Sequence, residues 1–167
     1  MIITKDTYNL EKSLWTHEDF ESMGWHDSMI YSMCIEKNAG NWTGDLIFDI
    51  DYIFKWVNPH KESESFSFWV APCTLIFEEA FGLKINLDTT DYSIEGIEIS
   101  DLELIKKESH DSVDRFHWNI LLQQGNIEFE SKGFKQFVRK KPIHVSGQQL
   151  TSQERGGISF DKKGVQL

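Results

Sequence analysis

Two pairs of residues in this 167-residue chain have the types and spacing to do chemistry. His26-Asp27 stands just before an alternating apolar run. Adjacent histidine and aspartate can share a metal, and metal-assisted hydrolysis uses such ligands when further His and Asp surround them. Asp49 and Asp51 lie two residues apart, which puts both on one face of a strand, about 6–7 Å from one another given the strand rise. Two carboxylates so placed can hold a cation, or act as acid and base across a substrate bond. A metal-dependent hydrolase would therefore be built on His26, Asp27, Asp49 and Asp51. The blander expectation is a structural histidine at the end of a helix, and solvated carboxylates paired with Lys55. His110, Asp111, Asp114 and His117 are spaced too loosely to specify a metal site. There is no Gly-rich phosphate loop, GxSxG elbow or HExxH helix, and no serine or cysteine stands in a nucleophile context. The expectation is no cofactor, no metal and no catalytic residue.

The second kind of candidate is aromatic. The six tryptophans are Trp15, Trp25, Trp42, Trp56, Trp69 and Trp118. Trp56 and Trp118 share parity with apolar neighbours and are assigned to the core. Trp69 has the parity opposite to Phe66, Phe68 and Val70, and Trp42 lies beside a turn. Exposed rings on a sheet are a common way to bind a protein or ligand. The candidate binding residues are thus Trp42, Trp69, His26, Asp27, Asp49 and Asp51.

The elements that must position these residues are strands. In 45–57 the even residues Leu46, Phe48, Ile50, Tyr52, Phe54 and Trp56 are apolar, while Asp45, Asp49, Asp51 and Lys55 occupy odd positions. Period two predicts one buried and one solvated face. A strand of this length is expected to bend or to carry a bulge. Similar runs cover 28–36, 66–77, 83–87, 94–106, 116–122 and 127–138. Phase breaks predict irregularities at Pro72, near Ser100-Asp101 and near Gly133. One helix is predicted near 16–23, with Thr16 as N-cap, Trp15 and Phe20 as a hydrophobic staple and Gly24 as the stop. The fold class is mainly β: an antiparallel sandwich or partly open barrel of about eight strands with one short N-terminal helix. Residues 1–144 form the domain. Residues 145–167 read as a polar tail with one helical turn from Thr151 to Glu154, ended by Gly156-Gly157. Ile158 and Phe160 are its expected docking points, and its last residues are expected to be disordered.

The net charge is −10, with 25 acidic and 9 basic residues in 1–130. Such a body repels nucleic acid and suits a basic protein partner. No run of 18 apolar residues exists, so no membrane span is expected. With no secretory signal at the N-terminus, and Cys34 and Cys73 read as reduced thiols, the expected location is cytoplasmic. Amphipathic strands with open edges would allow a homodimer.

Trp25-His26-Asp27, the strand Leu46–Trp56 and the segment Phe68-Trp69-Val70-Ala71-Pro72-Cys73-Thr74-Leu75 together resemble small bacterial β-rich proteins of uncharacterised families. These open on a W-H-D segment, followed by an I-D-Y-I strand and an apolar P-x-T-L-x-F segment. The resemblance spans roughly residues 25–105. Some such proteins sit near toxin loci as immunity proteins, and the resemblance therefore implies a toxin-neutralising partner role. It transfers no site residues. The readings are, in order, a binding or interaction protein, a small-ligand binder using a cavity in the curved sheet, and the hydrolase.

Overall fold

A computed structural model describes residues 7–60, 64–91 and 94–167. Ten antiparallel strands make one open sheet. They are β1 (Leu14–Thr16), β2 (Ser28–Lys37), β3 (Gly44–Val57), β4 (Ser67–Phe77), β5 (Phe81–Leu87), β6 (Ile97–His110), β7 (Val113–Leu122), β8 (Gly125–Ser131), β9 (Phe134–Val138) and β10 (Ile143–Val145). Their order is β1-β9-β4-β3-β2-β6-β7-β8-β5, with β10 beside β4. The expected single run 127–138 is two strands, because the chain breaks at Lys132-Gly133 instead of bulging there: β8 pairs with β5 and β7, and β9 with β1 and β4. The three-residue β1 and β10 are the other additions. Among the described residues no helix is long and apolar enough to cross a membrane.

The sheet is continuous only through a narrow joint. β2 meets β6 at Ser28–Ile30 opposite Ile97–Ile99. Beyond it the β6–β7–β8 half folds over the β3–β4–β9 half. Trp118 and Phe129 then lie 5.7 and 4.6 Å from the ring of Phe77, and Trp118 lies 5.6 Å from Phe134. These rings pack the space between the two halves of the sheet. Trp25 closes one end, with its indole N–H donating to Gln136 at 2.9 Å.

Bulges keep apolar residues on the core side. β6 shifts register at Ser100 and again at Ile105. Ile99 and Leu102, of opposite parity, are therefore both buried, with Ile97 and Leu104 packed beside them. That is the expected irregularity at Ser100-Asp101. The long strand β3 has its bulge at Phe54, between Ile53 opposite Val70 and Lys55 opposite Trp69. It corrects the placement of Trp56. The extra residue inverts the phase, so Trp56 leaves the core face and pairs with Phe68 on the opposite side.

Pro72 marks no phase break. Both faces of β4 are buried, so Ala71, Cys73, Leu75 and Phe77 face the main core while Phe68 and Val70 face a second cluster. The chain tolerates proline in this central strand because Pro72 lies where β9 ends and β10 has not begun. There its carbonyl accepts from Arg139 N–H, and no ladder partner requires its missing N–H.

The predicted helix is a 3-10 helix, His17–Ser22, capped reciprocally by Thr16 and Asp19. It stops at the extended Met23 rather than at a left-handed Gly24. Phe20 packs on Trp25 and Trp118, and Trp15 on Phe54, so the two rings do not form a staple. Residues 145–167 are not a loose tail. Leu150 and Arg155 are buried, Val165 packs against the core, and the Val165 N–H donates to the Val138 carbonyl at 2.7 Å. The helical turn is present as α1 (Ser152–Arg155), with the Thr151–Glu154 capping box and left-handed Gly156. Ile158, an expected anchor, is exposed.

Gly125 closes the β7–β8 turn at φ +150°, and a β-carbon there would lie 1.9 Å from the Asn86 carbonyl oxygen. Gly125→Ala should lower the unfolding free energy by about 2 kcal/mol in urea titration. Gly147→Ala, which meets nothing within 4 Å, should change it by less than about 0.5 kcal/mol.

Candidate functional site

The odd face of β3 carries Ile47, Asp49, Asp51 and Ile53, and all four are buried. The solvated face expected from the strand pattern does not exist. The C-terminal segment covers it, and two arginines bring the counter-charge. Asp49 Oδ1 accepts from Arg139 Nη2 at 2.6 Å and from Arg155 Nη2 at 2.7 Å. Its Oδ2 accepts from Arg155 Nη1 and from the Ser159 N–H, both at 3.0 Å. Asp51 Oδ2 accepts from the Leu150 N–H at 2.8 Å and the Tyr31 hydroxyl at 2.9 Å, and its Oδ1 faces Arg155 Nε at 3.3 Å. Arg139 also donates to Thr74, and the Arg155 guanidinium lies 3.6 Å from the centre of the Tyr31 ring.

Two carboxylates and two guanidiniums thus balance in charge. Both oxygens of each carboxylate are engaged by donors, so neither is free to take a cation or attack a substrate. Lys55 is not a partner, because the Phe54 bulge places it opposite Trp69. Burial, followed by the negative charge of Asp51, pushes the Tyr31 hydroxyl far above its ordinary value. It serves as a donor to that carboxylate.

His26 and Asp27 belong to a tight turn leading into β2, where the Ser28 N–H donates to the Trp25 carbonyl at 2.9 Å. Asp27 takes φ +61°, a left-handed conformation that aspartate tolerates better than most residues. Its N–H donates to the Ile99 carbonyl, and its Oδ2 accepts from Gln148 at 2.6 Å. His26 Nδ1 lies 2.9 Å from the Ser100 carbonyl and so donates to it, while Nε2 is 3.5 Å from Asp27 Oδ1. The pair is held at the β2–β6 joint and makes no contact with Asp49 or Asp51. The hydrolase expectation therefore loses its convergence. Among the described residues no three His, Cys, Asp or Glu side chains are placed to hold a metal ion.

What His26 does touch is aromatic. Its ring stacks on Trp56, with centroids 6.0 Å apart and planes 20° from parallel. Trp56 also meets Phe66 at 5.8 Å and Phe68 at 4.9 Å, edge to face. The His26 side chain is 67% exposed, Trp56 40% and Phe66 44%. These three form an exposed aromatic patch on the face that carries Asp49 and Asp51, bordered by Asp27.

The two tryptophan candidates separate. Trp42 is fully exposed on the β2–β3 turn, with Lys37 Nζ 5.6 Å from its ring centre. Hydrogen bonds from Asn38 to Thr43 and Asp45 brace that turn. Trp69 is buried between His144, stacked at 5.0 Å, and Tyr8 at 5.7 Å. It is a packing residue, not a contact surface. His117 pairs with Glu128 at 2.8 Å, while His110 and Asp111 stand at the β6–β7 turn.

No family model, curated protein or solved structure matches this chain.

Sequence reading missed Arg139, Arg155 and Tyr31. The available signal was Ile47 and Ile53, which sit on the supposedly polar face and mark it as covered.

Two predictions follow from this geometry. Arg155→Ala leaves charges unmatched in a buried network and should cost about 3–5 kcal/mol in urea unfolding. The second concerns alkali. Burial raises Tyr52 to about 12, only partly opposed by the Gly24 N–H it accepts, and Tyr31 moves the same way. Both must stay neutral in the fold, whereas the unfolded chain ionises at about pH 10. The stability they confer is complete below that value and is lost as pH rises toward about 12. Melting temperature should therefore fall between pH 9 and 11.5 while tyrosinate absorbance rises with unfolding, and Tyr52→Phe should flatten the fall.

Proposed function

We propose that this chain is a binding protein that acts without catalysis, and that its contact surface is the patch formed by His26, Trp56 and Phe66. One observation carries this reading: the Phe54 bulge turns a tryptophan out of the core and stacks an exposed histidine on it. A ring not needed in the interior is costly to leave in water, whereas rigid aromatic anchors of this kind dominate the affinity of protein interfaces. The patch is preorganised, because Ser100 and Trp56 fix His26 and Gln148 fixes Asp27. The net charge of −10 favours a basic protein partner and speeds its encounter. A toxin neutralised by complex formation fits that description, as the resemblance of the W-H-D segment implies.

The test is affinity capture from the native lysate, comparing the unaltered chain with Trp56→Ser/Phe66→Ser and with Trp42→Ser. The expected partner is basic and binds more weakly as salt rises. The double substitution should weaken binding at least about tenfold by titration calorimetry, and Trp42→Ser should not. Equal affinity of all three proteins for the captured partner would overturn the assignment of the patch.

A further inference from the structure

The bulge at Tyr31 separates β2 from β6. From Ser32 onward β2 pairs only with β3, and none of these residues makes a backbone hydrogen bond on its outer side among the described residues. Two other edges of the sheet are blunted. β5 carries a bulge at Gly82 and Lys84 at its middle, and β1 is three residues long. The β2 edge has neither proline nor bulge within Ser32–Glu36, and no lysine lies there. On its core-side face Met33 and Ile35 are 37% and 68% exposed, although Phe48 and Leu46 opposite them are buried. The covering half of the sheet stops one strand short of them. Edges left this open are templates for an added strand.

The residue order says which strand fits. Set antiparallel to itself about Cys34, the segment pairs Ser32 with the partner's Glu36 and Met33 with the partner's Ile35. Cys34 then faces the partner's Cys34. Apolar side chains meet on one face. On the other, a hydroxyl meets a carboxylate already neutralised by Lys162 at 2.7 Å. No like charges stand opposite each other. We propose that a second copy of this chain pairs with β2 along Ser32–Glu36, joining two sheets into one across a twofold axis. Nothing in this depends on the aromatic patch. The joined edge leaves His26, Trp56 and Phe66 outside the paired residues.

Directly opposite residues of antiparallel strands have β-carbons about 4.5–5.5 Å apart, just beyond ordinary disulfide geometry and within reach of a short bis-maleimide. Cys34 is free and half-buried, whereas Cys73 is sealed in the core. Light scattering should give twice the chain mass. The dimer fraction should grow from low to physiological salt, because two copies at −10 each repel until screened. A short bis-maleimide should link the two chains through Cys34, and Cys34→Ser should abolish the link while the dimer persists. Ile35→Lys, a change at an exposed position, should weaken the dimer about tenfold or more, and Ile85→Lys on β5 should leave it intact. Monomer mass at every concentration and salt, with no link through Cys34, overturns the proposal and leaves the edge to a foreign strand. A dimer broken by Ile85→Lys but not by Ile35→Lys also overturns it, in favour of β5.

Discussion

The neutralisation of Asp49 and Asp51 by Arg139 and Arg155 decides what the rest of the sheet can be. Two carboxylates in the middle of the long strand cannot be buried without counter-charge, and the strands that flank it offer only Lys37, at the far end of β2 opposite Gly44. One guanidinium comes from just after β9, the other from a single helical turn more than a hundred residues away in sequence. Once Arg155 is seated, the segment from Leu150 to Ser159 must lie across β3, and the face of the sheet it covers becomes interior. The residues around it then follow core rules. Ile47, Ile53 and Val70 are buried there, Leu150 joins them, and Thr74 is satisfied by Arg139. Buried ion pairs of this kind are poor sources of net stability, but they are intolerant of misplacement. Their effect here is to admit one docking of the C-terminal segment, because any slip leaves a charge without its partner.

The second organising device is the single-residue bulge. Side chains alternate between the two faces of each strand until a bulge resets the phase, and each reset has a local result. At Ser100 and Ile105 the resets keep β6 bent around the core. At Tyr31 the strand is freed from β6, and the Tyr31 hydroxyl reaches Asp51. At Phe54 a third aromatic ring joins Tyr8 and Tyr52 on one face, and Trp56 is delivered to the other. The aromatic patch and the open edge are therefore both products of bulges, not of unusual residue types.

This explains which parts were legible in the sequence. Alternation identified the strands 45–57 and 116–122, with the core face right throughout the second and as far as Phe54 in the first, and the parity conflict between Ile99 and Leu102 located a bulge. Thr151, Glu154 and Gly156-Gly157 specified their helical turn through local hydrogen-bonding geometry alone. What local pattern cannot report is what covers a face. Asp49 and Asp51 looked solvated because their partners lie far along the chain, and the C-terminal segment looked loose because its anchor is an arginine rather than an apolar residue. Trp56 was assigned to the wrong side because nothing in the alternation signals a bulge at Phe54: the residue on each side of it is apolar or amphipathic. Trp69 looked like a surface residue because its cover, His144 and Tyr8, comes from segments with no strong pattern of their own.

The two polar pairs with which chemistry seemed possible thus have opposite fates for one reason. A carboxylate in a β-sheet can be used in catalysis only if its lone pairs remain available, and the arginines consume those of Asp49 and Asp51. His26 and Asp27 keep access to solvent because they sit in a turn at the narrow β2–β6 joint, where the sheet has no second layer to cover them. Their hydrogen bonds to Ser100 and Gln148 use them to hold that joint to β6 and to the C-terminal segment. The same bonds fix the imidazole in the plane that Trp56 requires. The three residue pairs between β2 and β6 are thus reinforced by side-chain bonds from the turn that leads into them, and the same turn sets His26 against Trp56.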